Sequence, residues 1–183
     1  KLYIKGQRTI PSDTVCYPAK LLHGHIESLL DEGVDAVFYP CMPYNFDEGK
    51  GDNNYNCPVV AYYPEVITAN VPRLKETRYL TPYFGLHRPK DFAARAGKYF
   101  ADEFGVPKAE THRAAAAAYA AYDAYREDLR REGARYIEEA RRDGKRILVV
   151  AGRPYHIDPE INHGIDELVT SFGFVLVTED AVA

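Results

Sequence analysis

Much of what would announce a function is missing from this chain of 183 residues. Lysine and arginine total 23 against 27 aspartates and glutamates, a formal net charge of −4, so it carries no basic footprint for nucleic acid. No apolar stretch approaches the roughly 20 residues of a membrane-spanning helix, and no signal-peptide pattern opens the chain. These absences predict a cytoplasmic protein with neither a nucleic-acid nor a membrane partner. A G-x-G-x-x-G fingerprint, a phosphate P-loop and a G-x-S-x-G elbow are also absent, so nucleotide binding and serine hydrolysis have no motif behind them. No histidine pair brackets a glutamate at metalloprotease spacing. Three cysteines, an odd number, exclude a complete disulfide framework. In a cytoplasmic chain such thiols stay reduced, bind metal or react.

Those three cysteines are the strongest positive signal. Cys16, Cys41 and Cys57 stand in TVCYPAK, FYPCMPYN and YNCPVV, each beside turn-type residues or proline. Cys16 precedes a helical stripe, Ala19 to Leu30, and Cys41 follows a short apolar run, Asp35 to Pro40. Thiols at the ends of elements can converge on one point, and a helix N-terminus stabilises a thiolate. Cys16 and Cys41 are therefore expected at one sheet edge. Cys57 precedes a second apolar run, Pro58 to Tyr63, which reads as a strand and would put Cys57 at the opposite edge unless the loop before it folds over. The C-x24-C-x15-C spacing matches neither zinc ribbons nor compact ferredoxin runs. A structural zinc site is thus poorly served, and the pattern leaves open metal or cluster ligation and ordinary buried or loop thiols.

Along the chain the expectation is α/β. Residues 1–87 read as one portion of helix and buried strands, with Arg78 to Phe84 a weaker third strand. Residues 88–144 read as helical: Pro89 to Phe104, then Lys108 to Asp143, with Gly133 bending the second helix and Gly144 capping it. Tyr119, Tyr122 and Tyr125 recur at helical spacing as a packing face, and RREGARYIEEARRDGK as a solvated face of charge pairs. Residues 145–183 read as the start of a second α/β portion: strand Lys145 to Val150, a polar loop, helix Ile161 to Phe172, strand Phe174 to Asp180. The fold class is thus Rossmann-like parallel-sheet portions separated by a helical segment, the second portion incomplete. The opening at Lys1 and the end just after a strand-like segment predict a piece of a longer polypeptide.

Two further clusters draw notice. Ser12, Asp13 and Thr14 are helix-capping types just before the Ala19 helix. His23 and His25 on that helix are expected to be partly exposed. The loop GRPYHIDPEINHG gathers Arg153, His156, Asp158, Glu160 and His163 at the carboxyl edge of a strand, where open α/β sheets bind ligands. Arg153 would meet a phosphate or carboxylate, and His156 would serve an anion or a proton. The plain alternative is a loop that hydrogen-bonds itself and caps the next helix.

PSDTVCYPAKLLHGHIESLLDEGVDAVFYPCMPYN, NCPVVAYYPEVI and RILVVAGRPYHIDPEINHGIDELVTSFGFVLVTED together resemble the acyl-CoA dehydratase activase-related proteins of anaerobes. Those proteins join an actin-like ATPase region, akin to the 2-hydroxyglutaryl-CoA dehydratase activator, to a further domain that this chain resembles. More distantly the segments are similar to the cluster-bearing subunits of 2-hydroxyacyl-CoA dehydratases and benzoyl-CoA reductases. The resemblance implies an iron–sulfur cluster, of the 4Fe-4S kind, held by Cys16 and Cys41 and passing low-potential electrons in an acyl-CoA-converting system. Cys57 has no matched counterpart, and a further ligand is expected beyond Ala183. The implied partners are the ATPase region of the same polypeptide and an acyl-CoA-converting enzyme or acyl-CoA itself. The ATPase signature is absent here. The other function the residues allow is a non-redox α/β module binding a CoA-type thioester or a partner protein through Arg153, His156, Glu160 and His163.

Overall fold

The computed structural model of the chain describes residues 1–49 and 51–182, apart from the side chains of Pro154 and Glu160. The fold is α/β, with short strands paired in parallel. The chain divides into two units, Lys1–Ala116 and Ala117–Ala183. Among the described residues no helix is long and apolar enough to cross a membrane.

In the first unit, α1 (Leu2–Gly6) passes through a 3-10 turn, Gln7–Thr9, toward α2 (Tyr17–Asp31). Ala19, Leu22, Ile26 and Leu30 recur at helical spacing and face the core, as their periodicity predicts. Gly33 (φ +69°) then turns the chain into β1 (Ala36–Phe38). β2 (Cys41–Tyr44) follows after two residues, α3 (Pro58–Asn70) after a loop, then β3 (Arg78–Leu80) and β4 (Tyr83–Gly85). β1 pairs in parallel with β3 and β2 with β4. These two pairs form one continuous ribbon. The Tyr39 N–H donates to the Leu80 carbonyl and the Cys41 N–H to the Pro82 carbonyl, both at 2.9 Å, across the gap. The regular ladder lapses there because Pro40 and Pro82 have no N–H to contribute.

The run Pro58 to Tyr63, expected as a strand, is instead the first half of α3. Cys57 is its N-cap and Pro58 its first residue, a position that suits proline's fixed φ and missing donor. Ala61, Pro64, Ile67 and Val71 are buried three or four residues apart, while Val60 and Tyr62 are exposed. That helical period emerges only past Tyr63. α3 packs with Ala19, Ile26, Val37 and Leu74 into the core, where Ile67 and Val71 are fully enclosed. α4 (Pro89–Phe104) has the expected bounds and stops at Gly105 (φ +69°). The first turns of α5 (Lys108–Arg142) complete this unit.

His23 corrects another expectation, for it is fully buried. The Thr9 hydroxyl donates to the Gly6 carbonyl at 2.9 Å and lies 2.8 Å from His23 Nδ1. With the hydroxyl proton so placed, the network assigns the imidazole proton to Nδ1, donating to Thr9. Nε2 then accepts from the Tyr63 hydroxyl at 3.1 Å. Burial holds the His23 proton affinity below its ordinary value of 6.5, opposed in part by the Glu27 carboxylate. The unfolded chain therefore takes up this proton at higher pH than the folded one. The stability it carries is complete above about 6.5 and is lost as pH falls from there toward the folded value. Urea midpoints are expected to decline between about pH 7.5 and about pH 5.5, with a shallower decline in His23→Gln. An identical pH slope in the variant would refute this role.

In the second unit, the rest of α5 carries the expected charge pairs, Arg131 with Asp128 at 2.8 Å and Arg135 with Glu132 and Glu139 at 2.8 Å. α5 runs unbroken through Gly133. A Cβ there would come within 2.7 Å of the Ala181 Cβ, and the glycine permits that close approach. The expected tyrosine packing face is partial, since Tyr125 is 60 % exposed and Tyr119 and Tyr122 are half-buried. β5 (Ile147–Val150) pairs in parallel with β6 (Val175–Thr178). Between them lie a 3-10 turn at Pro154–Ile157, α6 (Pro159–Asn162) and α7 (Ile165–Ser171). Gly144 (φ +63°) ends α5, as expected of a helix-terminating glycine.

Candidate functional site

Each of the three cysteines stands at the start of an element, Cys16 before α2, Cys41 where β1 gives way to β2, and Cys57 before α3. Cys41 opens β2 and is fully buried. Beyond β2 the chain loops out and returns alongside it, with Tyr44 and Tyr55 forming an antiparallel bridge. The Asn56 N–H donates to the Pro43 carbonyl at 2.9 Å, and Asn56 Nδ2 to the Met42 carbonyl at 2.8 Å. That return sets Cys57, the next residue, beside the start of β2 rather than at the far edge of the sheet. The loop folds over, the condition under which Cys57 was expected to leave the opposite edge, and the expected strand after it is α3.

Cys16 reaches the same neighbourhood from α2, of which it is the N-cap. Electrostatics trace the connection. Burial raises the Tyr63 phenol, and the Cys16 thiol adds to the rise. Burial pushes Tyr39 up to about 12, with Cys41 and then Tyr63 adding. Tyr79 is raised by burial, then by Tyr39 and Cys41. A partly buried tyrosine cluster thus joins the surroundings of Cys16 and Cys41. The Cys41 thiol is itself raised, by burial first and the Glu65 carboxylate second.

Neither α2 nor α3 has a side-chain cap, and both begin on cysteine with proline in the first turn. The expected capping by Ser12, Asp13 and Thr14 does not occur. Ser12 Oγ instead accepts the Thr14 N–H at 3.2 Å, and the Asp13 carbonyl accepts from Lys20 Nζ at 2.7 Å. First-turn N–H groups at two helix ends therefore stand beside thiols without a side-chain cap, a setting that favours negative charge. Among the described residues no group of three or more His, Cys, Asp or Glu side chains is disposed to hold a metal ion. In donor chemistry the site suits an anionic, thiolate-held group, and it lacks the closed geometry of structural zinc.

The loop after β5 assembles differently from its expectation. His156 Nδ1 accepts the Arg153 backbone N–H at 3.0 Å, which places the neutral ring's proton on Nε2. His156 lines a pocket of about 320 Å³ with Val150, Ile157, Ile161, Asn162 and Leu176, at the carboxyl ends of β5 and β6. Arg153 and His163 are exposed and do not line it. The Glu160 side chain lies outside the described residues. Asn162 is buried, and its Oδ1 accepts the Gly164 N–H at 2.8 Å, so part of the loop does hydrogen-bond itself.

Sequence reading missed the tyrosines, Tyr39, Tyr63 and Tyr79. No motif marks them, and the signal available was their place flanking buried runs that later prove adjacent. Residues 1–182 match the family model described as CoA enzyme activase uncharacterised domain. No curated protein and no solved structure matches the chain.

Proposed function

Because this chain belongs to the CoA enzyme activase uncharacterised-domain family, we propose that its cysteine junction is an electron-transfer centre serving an acyl-CoA-converting system. Cys16, Cys41 and Cys57 are the ligands this chain brings to an iron–sulfur cluster of the 4Fe-4S kind. What supports this reading is that each cysteine stands at the start of an element, Cys16 and Cys57 as the N-caps of α2 and α3 and Cys41 at the head of β2. A bound cluster supplies one-electron transfer at low potential. The first-turn N–H groups of α2 and α3 would offset its negative charge, and the buried Tyr63 with the half-buried Tyr39 and Tyr79 would limit water beside it. The Cys41 thiol gives up its proton on ligation. The actin-like ATPase region expected in the same polypeptide would drive the electron, and an acyl-CoA-converting enzyme would receive it.

Anaerobic reconstitution of the full-length protein with ferrous iron and sulfide tests this. Broad visible absorption and stoichiometric iron and sulfide are the expected result, with Cys16→Ser, Cys41→Ser and Cys57→Ser each losing most of both. Colourless protein after reconstitution would sink the reading. So would stoichiometric zinc in aerobically purified protein.

The pocket beneath His156 favours a second reading, a binding site for the acyl part of a CoA-type thioester. Its walls are mostly apolar, with Asn162, Asp166 and Thr178 among them, and the His156 Nε2–H is a donor suited to a carbonyl oxygen. A melting-temperature rise with short acyl-CoA esters, abolished in His156→Ala, is expected. No shift across a chain-length series would end that reading.

A further inference from the structure

The pocket beneath His156 holds more chemistry than a plain acyl chain would use. Its volume, about 320 Å³, is at the small end of the ~300–1,000 Å³ usual for small-molecule sites, so its occupant is small. Val150, Ile157, Ile161, Ile165 and Leu176 form its apolar walls. Among these stand two neutral donors and one acid.

His156 is the first donor, and its ring is held from three sides. Nδ1 accepts the Arg153 N–H at 3.0 Å, Tyr155 packs T-shaped against the ring at 4.7 Å, and a Cβ on Gly152 would fall 2.4 Å from Nδ1. Only glycine leaves room for the imidazole there. Asn162 is the second donor, and it is only 8 % exposed. Its Oδ1 accepts the Gly164 N–H, which leaves Nδ2 to donate, and Nδ2 meets no acceptor among the described residues. Nor is Nδ2 sealed in, since the enclosed, unpartnered side-chain atoms among the described residues are His87 Nδ1 and Thr111 Oγ1. A donor on a buried residue is thus left open to the pocket which that residue lines.

Asp166, on α7, is the acid. It is half-buried, and its carboxylate has no hydrogen-bond or ion-pair partner among the described residues. No lysine or arginine among them lines the pocket. A plain acyl chain has nothing to offer this charge, and an acyl group ending in a second carboxylate would be repelled by it. An ammonium group answers it.

We infer that the acyl group this pocket selects is short and carries an amine: the thioester carbonyl accepts from His156 Nε2–H and Asn162 Nδ2, and the ammonium lies at Asp166. This rests on the thioester reading of the pocket and deepens it, since that reading leaves Asn162 and Asp166 without a role. A hydroxyl would also donate to Asp166, but a bond charged on both sides is roughly twice as strong as one to a neutral donor. The choice is made by charge and not by size. It is independent of the cysteines, none of which lines this pocket.

Calorimetric titration of the full-length protein with four CoA esters of similar length decides it: butyryl-, β-alanyl-, 3-hydroxypropionyl- and malonyl-CoA. All share the same CoA, so differences between them belong to the end of the acyl chain. β-Alanyl-CoA is expected to bind at least about tenfold more tightly than butyryl-CoA, and malonyl-CoA most weakly. Asp166→Asn keeps the shape of the side chain and should bring all four to within about twofold of one another. Gly152→Ala displaces the imidazole and should weaken all four while preserving their order. β-Alanyl-CoA binding no more tightly than butyryl- or 3-hydroxypropionyl-CoA would overturn the inference, as would a preference that survives Asp166→Asn. In either case butyryl-CoA binding that His156→Ala removes would leave the thioester reading standing. If none of the four binds, both fall.

Discussion

Gly24→Ala is expected to unseat α1 and lower the unfolding free energy by about 3 kcal/mol. The direction opposes helix propensity, because alanine within a helix is normally favoured over glycine by about 1 kcal/mol. Geometry decides the sign. A Cβ on Gly24 would press against the backbone of Leu2, 2.6 Å from its carbonyl carbon and 2.9 Å from its Cα. The facing Gly6 is equally constrained, with a Cβ falling 2.5 Å from the His23 carbonyl carbon. Both obstacles include backbone, which cannot swing aside as a long side chain does. Separation of α1 would also withdraw Thr9 from His23, removing the bond that fixes the imidazole tautomer. Urea unfolding of Gly24→Ala, Gly6→Ala and the double variant measures the effect. The double variant is expected to cost little more than either single one, because the contact can be lost only once. Additive losses, or a stabilised Gly24→Ala, would show that the helices do not meet at these glycines.

Ile67→Ala should cost a similar amount, about 3–4 kcal/mol, for a different reason. Ile67 has no exposure and sits among Ala19, Ile26, Val37, Tyr63, Val71 and Leu74. Removing its branched side chain forfeits the burial of the lost carbons and leaves a cavity. The void cannot close easily. One side is the Val37 strand, held by its parallel pairing to Tyr79, and another is Tyr63, tied to His23. Domains of this size hold about 5–15 kcal/mol in all, so such a loss is a large share. Ile67→Val should cost only about 1 kcal/mol. Ile4→Ala, at a position 68 % exposed, should stay within about 0.5 kcal/mol. The three midpoints from urea unfolding give the comparison, and equal losses at Ile4 and Ile67 would contradict this core.

Long periodic segments were readable in advance because their pattern repeats. α4 keeps its predicted bounds, since Pro89 opens it, Gly105 closes it, and the apolar positions between recur over sixteen residues. Pro58 to Tyr63 was misread because six apolar residues carry too little pattern to separate a buried strand from a helix. The deciding marks lay outside the window: the cap at Cys57 and the buried Ile67 and Val71 downstream. His23 was misjudged for another reason. A histidine's burial depends on what covers it, and its cover comes from Thr9 and from Tyr63, forty residues away.

The sequence by itself determined where α2, α4 and α5 lie, that the fold is α/β, and that Cys16 stands at a helix N-terminus. These are local matters of proline, glycine and apolar spacing, settled within a few turns. The tertiary structure alone decided that Cys57 stands with Cys41 and not opposite it. That outcome depends on Asn56 bonding back to Met42 and Pro43 and on α3 packing over β2, contacts between residues distant along the chain.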